Sequence, residues 1–419
     1  MQRHPPGGGM TALVQRAPRQ AEIGLADLVD EARRFSARRP FDEDSLALCA
    51  RVGRLLLDLP ASRSWPELVA LGYWLRPAAL QHLADDFAAL QAADPCWFQP
   101  RGLALHLPPR NVGTIAIHSW ALSVLAGNGN IVRVSPRRTA LSDALIGVLQ
   151  QALADAPAEL SFANRFVEWG HDREVLAALS SVARVRLIWG GDATVQELRA
   201  VPLPPRSIDL CFSDRWSAAI LSADAFRALD EEGLDDLAHR FFNDAWWFDQ
   251  RGCASPRLLA WVGEDTAPCT DELVARAASI ARRRGWRPDA ALAVERLGFA
   301  TSAALDLPGV SAGYRAAEAE VLRLSSLRGL PRVHCGGGFF FHVELRSLAE
   351  LVPHLQVRDQ TLTWFGFSPE VLRTFVAALA DRGVDRIVPM GHALRFSRYW
   401  DGHDLLQALT RRVHLVEHP

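Results

Sequence analysis

Val185-Arg186-Leu187-Ile188-Trp189-Gly190-Gly191-Asp192-Ala193-Thr194-Val195-Gln196-Glu197-Leu198-Arg199-Ala200 decides the fold class. A short apolar run ends at a glycine pair, and an acidic residue then opens a stretch with helical spacing. The same succession is read on both sides. Upstream lie a strand over 130–134, a helix over about 140–154, a strand over 165–169 and a helix over 173–180. Downstream, a strand is read over 208–212. Strands that alternate with helices for this long predict a parallel sheet covered on both faces. Such sheets bind ligands beyond the carboxyl ends of their strands.

Working outward, the stretch 101–108 is an apolar run closed by Pro108-Pro109, followed by a helix over about 112–126 and the turn Gly127-Asn128-Gly129. Residues 23–92 carry apolar positions at helical spacing, for example Leu46, Cys49, Val52, Leu55 and Leu56, and read as several amphipathic helices. Residues 1–20 are rich in Pro, Gly and Arg, lack periodicity, and read as a disordered tail. Past the strand at 216–221 the helices lengthen, over 223–247 and 270–284. A second α/β unit then contains the Cys335-Gly336-Gly337-Gly338 turn and a strand over 339–343. The expectation is an α/β protein of two parallel-sheet domains with a cleft between them. The first spans 21–222, the second 223–395, and a C-terminal segment, 396–419, returns to the first.

Composition narrows the chemistry. The chain has 419 residues, 49% of them hydrophobic, enough for a sizeable core. A formal net charge of −2 offers no electrostatic case for nucleic acid or an anionic membrane surface. No long apolar span and no secretory apolar region is evident, so no membrane crossing is expected. The six cysteines are scattered without a CxxC pair, which fits reduced thiols in the cytoplasm. Lysine is absent altogether. Its absence excludes Schiff-base chemistry and a Walker-type phosphate lysine, and leaves cationic work to arginine.

The stretch Asp249-Gln250-Arg251-Gly252-Cys253-Ala254-Ser255-Pro256 places a thiol between a helical segment and an apolar strand. A thiol there can face a cleft, where helix-end or backbone amides stabilise its thiolate; the alternative is a buried core cysteine. Gly190, Gly191 and Asp192 form a candidate phosphate turn at a helix start, or an ordinary turn with Asp192 as cap. Arg133 and Ser135, at a strand end, suit a ribose or phosphate, or a solvated surface. Asn111 opens a helix after two prolines and can cap it or donate to an oxyanion. No metal site is read: His334, Cys335 and His342 match no common ligand spacing. Trp74, Trp246, Trp247, Trp364 and Trp400 read as core.

Together these pieces resemble the aldehyde dehydrogenase superfamily, and within it the LuxC-type acyl-CoA reductases. The similarity covers residues 65–415. It is carried by Ala70-Leu71-Gly72-Tyr73-Trp74-Leu75-Arg76, His106-Leu107-Pro108-Pro109-Arg110-Asn111-Val112, Leu125-Ala126-Gly127-Asn128-Gly129-Asn130-Ile131-Val132-Arg133 and Ile188-Trp189-Gly190-Gly191-Asp192. Later blocks are the Cys253 stretch, Gln360-Thr361-Leu362-Thr363, Asp385-Arg386-Ile387-Val388-Pro389-Met390-Gly391 and Trp400-Asp401-Gly402-His403-Asp404-Leu405.

The resemblance implies that Cys253 is the nucleophile and that Asn111 and the Cys253 amide form the oxyanion hole. Arg133, Ser135 and the Gly190-Gly191-Asp192 turn would hold NADPH or NADH. Where classical members have a ribose-binding lysine, this chain has Arg133, and where they have a water-activating glutamate, the best match is Asp209, one methylene shorter. A weakened base favours reduction of an acyl-CoA or carrier-bound thioester to the aldehyde over hydrolysis. The rivals are oxidation of an aldehyde to the acid, with Asp209 as base, and a non-catalytic assembly subunit. The resemblance also implies a homo-oligomer and acyl-transferring or acyl-activating partner proteins.

Overall fold

The computed structural model describes residues 12–63, 65–93, 96–109 and 113–416. The chain forms two units. One comprises the chain up to Ser213 with Phe396–Tyr399 and the residues from His403 onward; the other comprises Asp214–Arg395 with Trp400–Gly402.

In the first unit the strands are β1 (Ala12–Ala17), β2 (Ala21–Gly24), β3 (Cys96–Pro100), β4 (Leu103–Leu107), β5 (Gly129–Val134), β6 (Asn164–Glu168), β7 (Val185–Trp189) and β8 (Ile208–Phe212). Seven form one sheet in the order β2-β1-β6-β5-β4-β7-β8. From β6 to β8 every pairing is parallel, as the strand–helix alternation predicts. β3 pairs instead with the strand Thr410–His414. The helices are α1 (Leu25–Arg33), α2 (Glu43–Asp58), α3 (Pro66–Trp74), α4 (Pro77–Ala93), α5 (Gly113–Leu125), α6 (Ala140–Ala154), α7 (Ala158–Phe162), α8 (Arg173–Ser180) and α9 (Asp192–Arg199), with one more turn of helix at Leu405–Ala408 on the C-terminal return.

The reading of residues 1–20 as a disordered tail needs correction. Residues 1–11 lie outside the described residues, but 12–17 form a strand between β2 and β6, antiparallel to both. Leu13, Gln15 and Ala17 are buried while Val14 and Arg16 are half-buried, a period of two hidden among polar neighbours. Gln15 carries its own hydrogen bond inward, to the carbonyl of Arg19.

Behind the parallel strands, α5 is buried on nearly every face and its polar residues meet polar residues of the sheet. His106 Nδ1 lies 3.1 Å from Ser119 Oγ and its Nε2 lies 3.0 Å from Asn130 Oδ1. Asn130 donates to Asn164 Oδ1, which also accepts from Trp120 Nε1. Burial holds the His106 imidazole down at about 4, so it stays neutral where an unfolded histidine has already charged. The unfolded chain therefore binds the extra proton below about pH 6.5, and stability falls with pH there. Against a His106→Gln variant, the wild-type unfolding free energy should lose about 1.4 kcal/mol per pH unit between about pH 6.5 and 4. Denaturant titrations across that range measure it.

In the second unit the strands are β9 (Trp216–Ser222), β10 (Pro256–Val262), β11 (Val310–Arg315), β12 (Glu320–Leu324), β13 (Phe339–Leu345), β14 (Asp359–Phe365) and β15 (Arg386–Pro389). Their order is β11-β12-β13-β10-β9-β14-β15, parallel except at the β11 edge. Both faces are buried. On β13, Phe339 and Phe341 enter one core and Phe340 the other; on β10, Leu258 and Ala260 oppose Leu259 and Trp261. The helices are α10 (Ala223–Arg227), α11 (Glu231–Ala245), α12 (Ala267–Arg283), α13 (Ala290–Asp306) and α14 (Pro369–Ala377).

Two expectations shift here. The helix read over 223–247 is broken, because Asp230 accepts from the Gly233 amide and caps a new helix. The division between units falls at Ser213–Asp214 rather than near residue 222. The reason is that β9 hydrogen-bonds between β10 and β14 at the middle of the second sheet. Trp246 and Trp400 are buried, as read; Trp74 and Trp247 are half-buried.

Candidate active site

Cys253 is delivered by an unusual piece of backbone. After α11 the chain turns left-handed at three successive residues, Phe248 (φ 56°), Asp249 (φ 54°) and Gln250 (φ 60°). Each such non-glycine residue costs about 1–2 kcal/mol, so the surroundings must enforce the turn. Gln250 does so from a fully buried position. Its Nε2 donates to the carbonyls of Pro256 and Phe339, both at 2.9 Å, and its Oε1 accepts from the Phe339 amide at 3.0 Å. Asp249 offers its carbonyl to the Gly337 amide at 2.9 Å and its Oδ1 to Trp286 Nε1 at 2.8 Å.

The facing turn is Gly336-Gly337-Gly338, also left-handed throughout. Here glycine is required by space as well. A Cβ at Gly336 would meet the Asp249 carbonyl at 2.6 Å, and one at Gly338 the Glu318 carbonyl at 2.2 Å. Gly338→Ala should therefore destabilise the protein by more than about 1 kcal/mol and disturb the Cys253 loop with it. Thermal unfolding and labelling of Cys253 would report both.

Beyond the turn, the sulfur-bearing residue is half-buried. Its carbonyl accepts from Ser217 Oγ at 2.7 Å, and Ser217 in turn accepts from the Thr361 amide. Adjacent strands β9 and β14 thus tether the cysteine backbone. Arg257, buried on β10, donates to the carbonyls of Arg215 (2.9 Å) and Gly252 (3.4 Å). Burial pushes the Cys253 thiol up to about 11, and the Asp401 carboxylate adds to the rise. Arg257, a hydrogen bond with Gln360 and the Ala254 amide pull the other way. The resting sulfur is a thiol. Amide donation, expected from sequence to stabilise a thiolate here, is present at Ala254 but is outweighed by burial.

The remaining predicted residues sit in the first unit. Asn111 lies outside the described residues. Arg133, at the end of β5, donates to the Trp169 carbonyl at 3.3 Å, with its guanidinium 5.9 Å from the Trp169 ring centre. With Leu107, His171, Arg173 and Glu197 it borders a small hollow beyond the carboxyl ends of β4 to β6. Sequence reasoning missed His171 and Arg173, although their position just past a strand end was a usable signal. Ser135 closes a turn by accepting from the Arg137 amide. Gly190 spends its amide on the Phe212 carbonyl, Gly191 caps α9, and Asp192 is that helix's first residue. Arg133 and the Gly190-Gly191-Asp192 turn do not line the same hollow.

Asp209 is engaged by both oxygens. It accepts from Arg186 Nε at 2.7 Å and Nη2 at 3.0 Å, across the register pair of β7 and β8. Arg186 is fully buried and also donates to Ser180 Oγ. The histidines left without a role by sequence are likewise occupied: His334 bonds the Phe339 carbonyl and the Gly336 amide, and His342 bonds Thr266 Oγ1. The expectation that the serine-hydrolase spacing GxSxG is absent needs correction, because Gly309-Val310-Ser311-Ala312-Gly313 has it. Ser311 lies within the edge strand β11, not on the strand-to-helix turn that such a nucleophile needs.

Two α/β units with these parallel sheets have the aldehyde dehydrogenase fold. Aldehyde dehydrogenase 21 from Physcomitrella patens superposes with a TM-score of 0.66 at 14% identity, covering 98% of this chain and 95% of that one. The NADP-dependent glyceraldehyde-3-phosphate dehydrogenase from Bacillus halodurans C-125 gives 0.61 at 14% identity, covering 97% and 95%. The sequence model of the acyl-CoA reductase (LuxC) family matches residues 82–296, just over half of the chain. The chain belongs to that family. Among its relatives, the long-chain acyl-protein thioester reductase of Aliivibrio fischeri is 23% identical over 330 residues, and the long-chain acyl-protein thioester reductase 2 of Photobacterium leiognathi 22% over 328. Each alignment takes in 76% of this chain and 64% of the relative. The chain thus matches just under two thirds of the length of these curated relatives.

Proposed function

We propose that this protein reduces a long-chain acyl thioester to the aldehyde, through an acyl group carried on Cys253. The observation that carries the reading is the seat of Cys253. Cys253, a half-buried residue, follows an enforced left-handed turn, and its carbonyl is tethered by Ser217. The family membership and the names of the two relatives support a thioester as substrate, on coenzyme A or on a carrier protein.

The Cys253 sulfur, once deprotonated, attacks the thioester carbonyl. Asn111 and the Cys253 amide are the proposed donors to the resulting oxyanion. Collapse expels the thiol of the donor, which leaves with a proton, and the acyl group stays on sulfur. A second oxyanion forms when that acyl carbon accepts hydride; its collapse frees the aldehyde and returns the sulfur. The balance is acyl thioester, hydride and proton in, aldehyde and thiol out.

The hydride is the chemistry a reduced nicotinamide dinucleotide, NADPH or NADH, supplies when bound. The first unit's residues fit such a group. A hollow beyond the strand ends carries Arg133 and Arg173, guanidiniums suited to phosphate, together with His171, Asp172 and Glu197 and with the Trp169 ring alongside. Ser135 and the Gly190-Gly191-Asp192 turn remain proposed contacts.

Asp209 favours reduction over hydrolysis. A carboxylate held through both oxygens by a buried guanidinium is a poor base for water, which leaves the acyl group available for hydride. The proposal extends to a homo-oligomer in the reducing cytoplasm, where the six free cysteines stay reduced. Incubation with acyl-CoAs of different chain lengths and no reductant, followed by mass spectrometry, tests the reading. A mass gain on the peptide containing Cys253 is expected; acylation elsewhere, or none, overturns it.

A further inference from the structure

A hollow of about 590 Å³ in the first unit has no part in that scheme. One face of α2, from Asp44 to Asp58, forms its long wall, and the end of α6 with residues 155–157 also borders it. That face of α2 is about 21 Å long at the rise of an α-helix. The volume falls within the roughly 300–1,000 Å³ of small-ligand sites. Toward the C-terminal end of α2, the end of α3 touches it directly, for a Cβ at Gly53 would lie 2.8 Å from Leu75 Cβ. Arg54 and Arg76, the residues next to that contact, both line the hollow.

The described residues that line it are of two kinds. Ala47, Leu48, Leu57, Ala152 and Pro157 are aliphatic, and every polar side chain is an arginine or an aspartate. Among them no aromatic ring can stack on a base, and no hydroxyl or amide can bond a sugar. Two of the acids are already neutralised, Asp44 by Arg38 and Asp155 by Arg51. Asp58 remains, set against the exposed guanidiniums of Arg54 and Arg76, which have no ion pair or hydrogen bond among the described residues. A single exposed arginine is ordinary. Two unpaired ones beside an aliphatic face suit a carboxylate on an alkyl chain, because a guanidinium binds carboxylate through its planar fork.

We propose that this hollow binds a long-chain fatty acid, its carboxylate held by Arg54 and Arg76 and its chain laid along the aliphatic face of α2. Ala47 and Leu48 lie about two helical turns from Arg54 on that face, so the chain has apolar surface well beyond the head. The two guanidiniums outnumber the one unpaired acid, which leaves the head end positive. The site is built from first-unit residues alone and does not rest on the reading of Cys253.

The test is photolabelling of the full chain by a tetradecanoate that carries a diazirine on its chain, read by peptide mass spectrometry. Label is expected on peptides from 43–58 and 152–157. With Arg54→Gln and Arg76→Gln together it should fall at least about tenfold. Ala47 is exposed on the same face, so Ala47→Phe obstructs the chain while keeping both arginines, and label should fall several-fold. The matching diazirine alcohol, which lacks the carboxylate, should label these peptides at least about tenfold less. Label confined to other peptides, label undiminished in either variant, or equal labelling by the alcohol overturns the proposal. Displacement of the label by millimolar inorganic phosphate would mean a plain anion site and overturns it too. Labelling should be unchanged in Cys253→Ala, so the catalytic reading can fail while this one stands; its loss there would place the acid elsewhere.

Discussion

Cys253→Ala is expected to reduce aldehyde formation from a long-chain acyl-CoA by at least about a thousandfold, because a covalent route cannot proceed without its nucleophile. The substitution removes one half-buried sulfur, and the tether on the loop runs through the Cys253 carbonyl, which alanine keeps. The fold should therefore survive with its unfolding midpoint nearly unchanged. Nucleotide binding, followed by nicotinamide fluorescence, should also persist, since Arg133 and its hollow belong to the other unit. Steady-state reductant consumption in the presence of acyl-CoA is the direct measurement. Turnover in the alanine variant within about tenfold of wild type would mean that another group carries the acyl chain. Cys335 would then be the next residue to examine, although burial pushes its thiol up to about 12.

The second large effect is on stability. Asp209→Ala should lower the unfolding free energy by about 3–5 kcal/mol, because it strands the Arg186 guanidinium, fully buried, without its carboxylate. The double change Asp209→Leu with Arg186→Met should recover much of that loss, since it removes both charges together. Denaturant titrations of the three proteins decide it. A water-activating role for Asp209 leads to a different outcome: Asp209→Asn would slow loss of the acyl group from Cys253 with little change in stability. The ion pair predicts the reverse weighting. It also explains why an aspartate suits this position, since the Arg186–Asp209 register pair spans adjacent strands with both hydrogen bonds at 3.0 Å or less.

Much of the first unit was legible from sequence because its strands are buried on both faces and each is bounded by turn residues. The strand at 185–189 and the helices at 140–154 and 173–180 lie where the pattern puts them. The strand Ala12–Ala17 was not legible. Its buried positions alternate with half-buried ones, and one of the buried ones is the polar Gln15, which bonds the Arg19 carbonyl and the Arg165 guanidinium. The break between α10 and α11 was hidden for a different reason. Asp230 reads as one more polar residue on an exposed helix face unless its bond to the Gly233 amide is seen.

The site divides along the same line. That a cysteine follows a glycine at a helix-to-strand junction is a local property, and the sequence by itself determined it, along with the α/β class and the absence of any lysine chemistry. What surrounds the sulfur is not local. Gln360 and Asp401 lie far along the chain, and they reach Cys253 only because β14 pairs with β9 beside β10 and because the chain returns at Trp400–Gly402. The state of the thiol was also beyond reach, since it depends on burial and on the charge of Asp401, which exist only once the sheet has assembled. Asp209 was found in sequence as a carboxylate and became an ion-pair partner only when β7 and β8 came into register. Short-range periodicity carries secondary structure, whereas hydrogen-bond partners and electrostatic environment are set by contacts distant in sequence, and those only the tertiary structure decides.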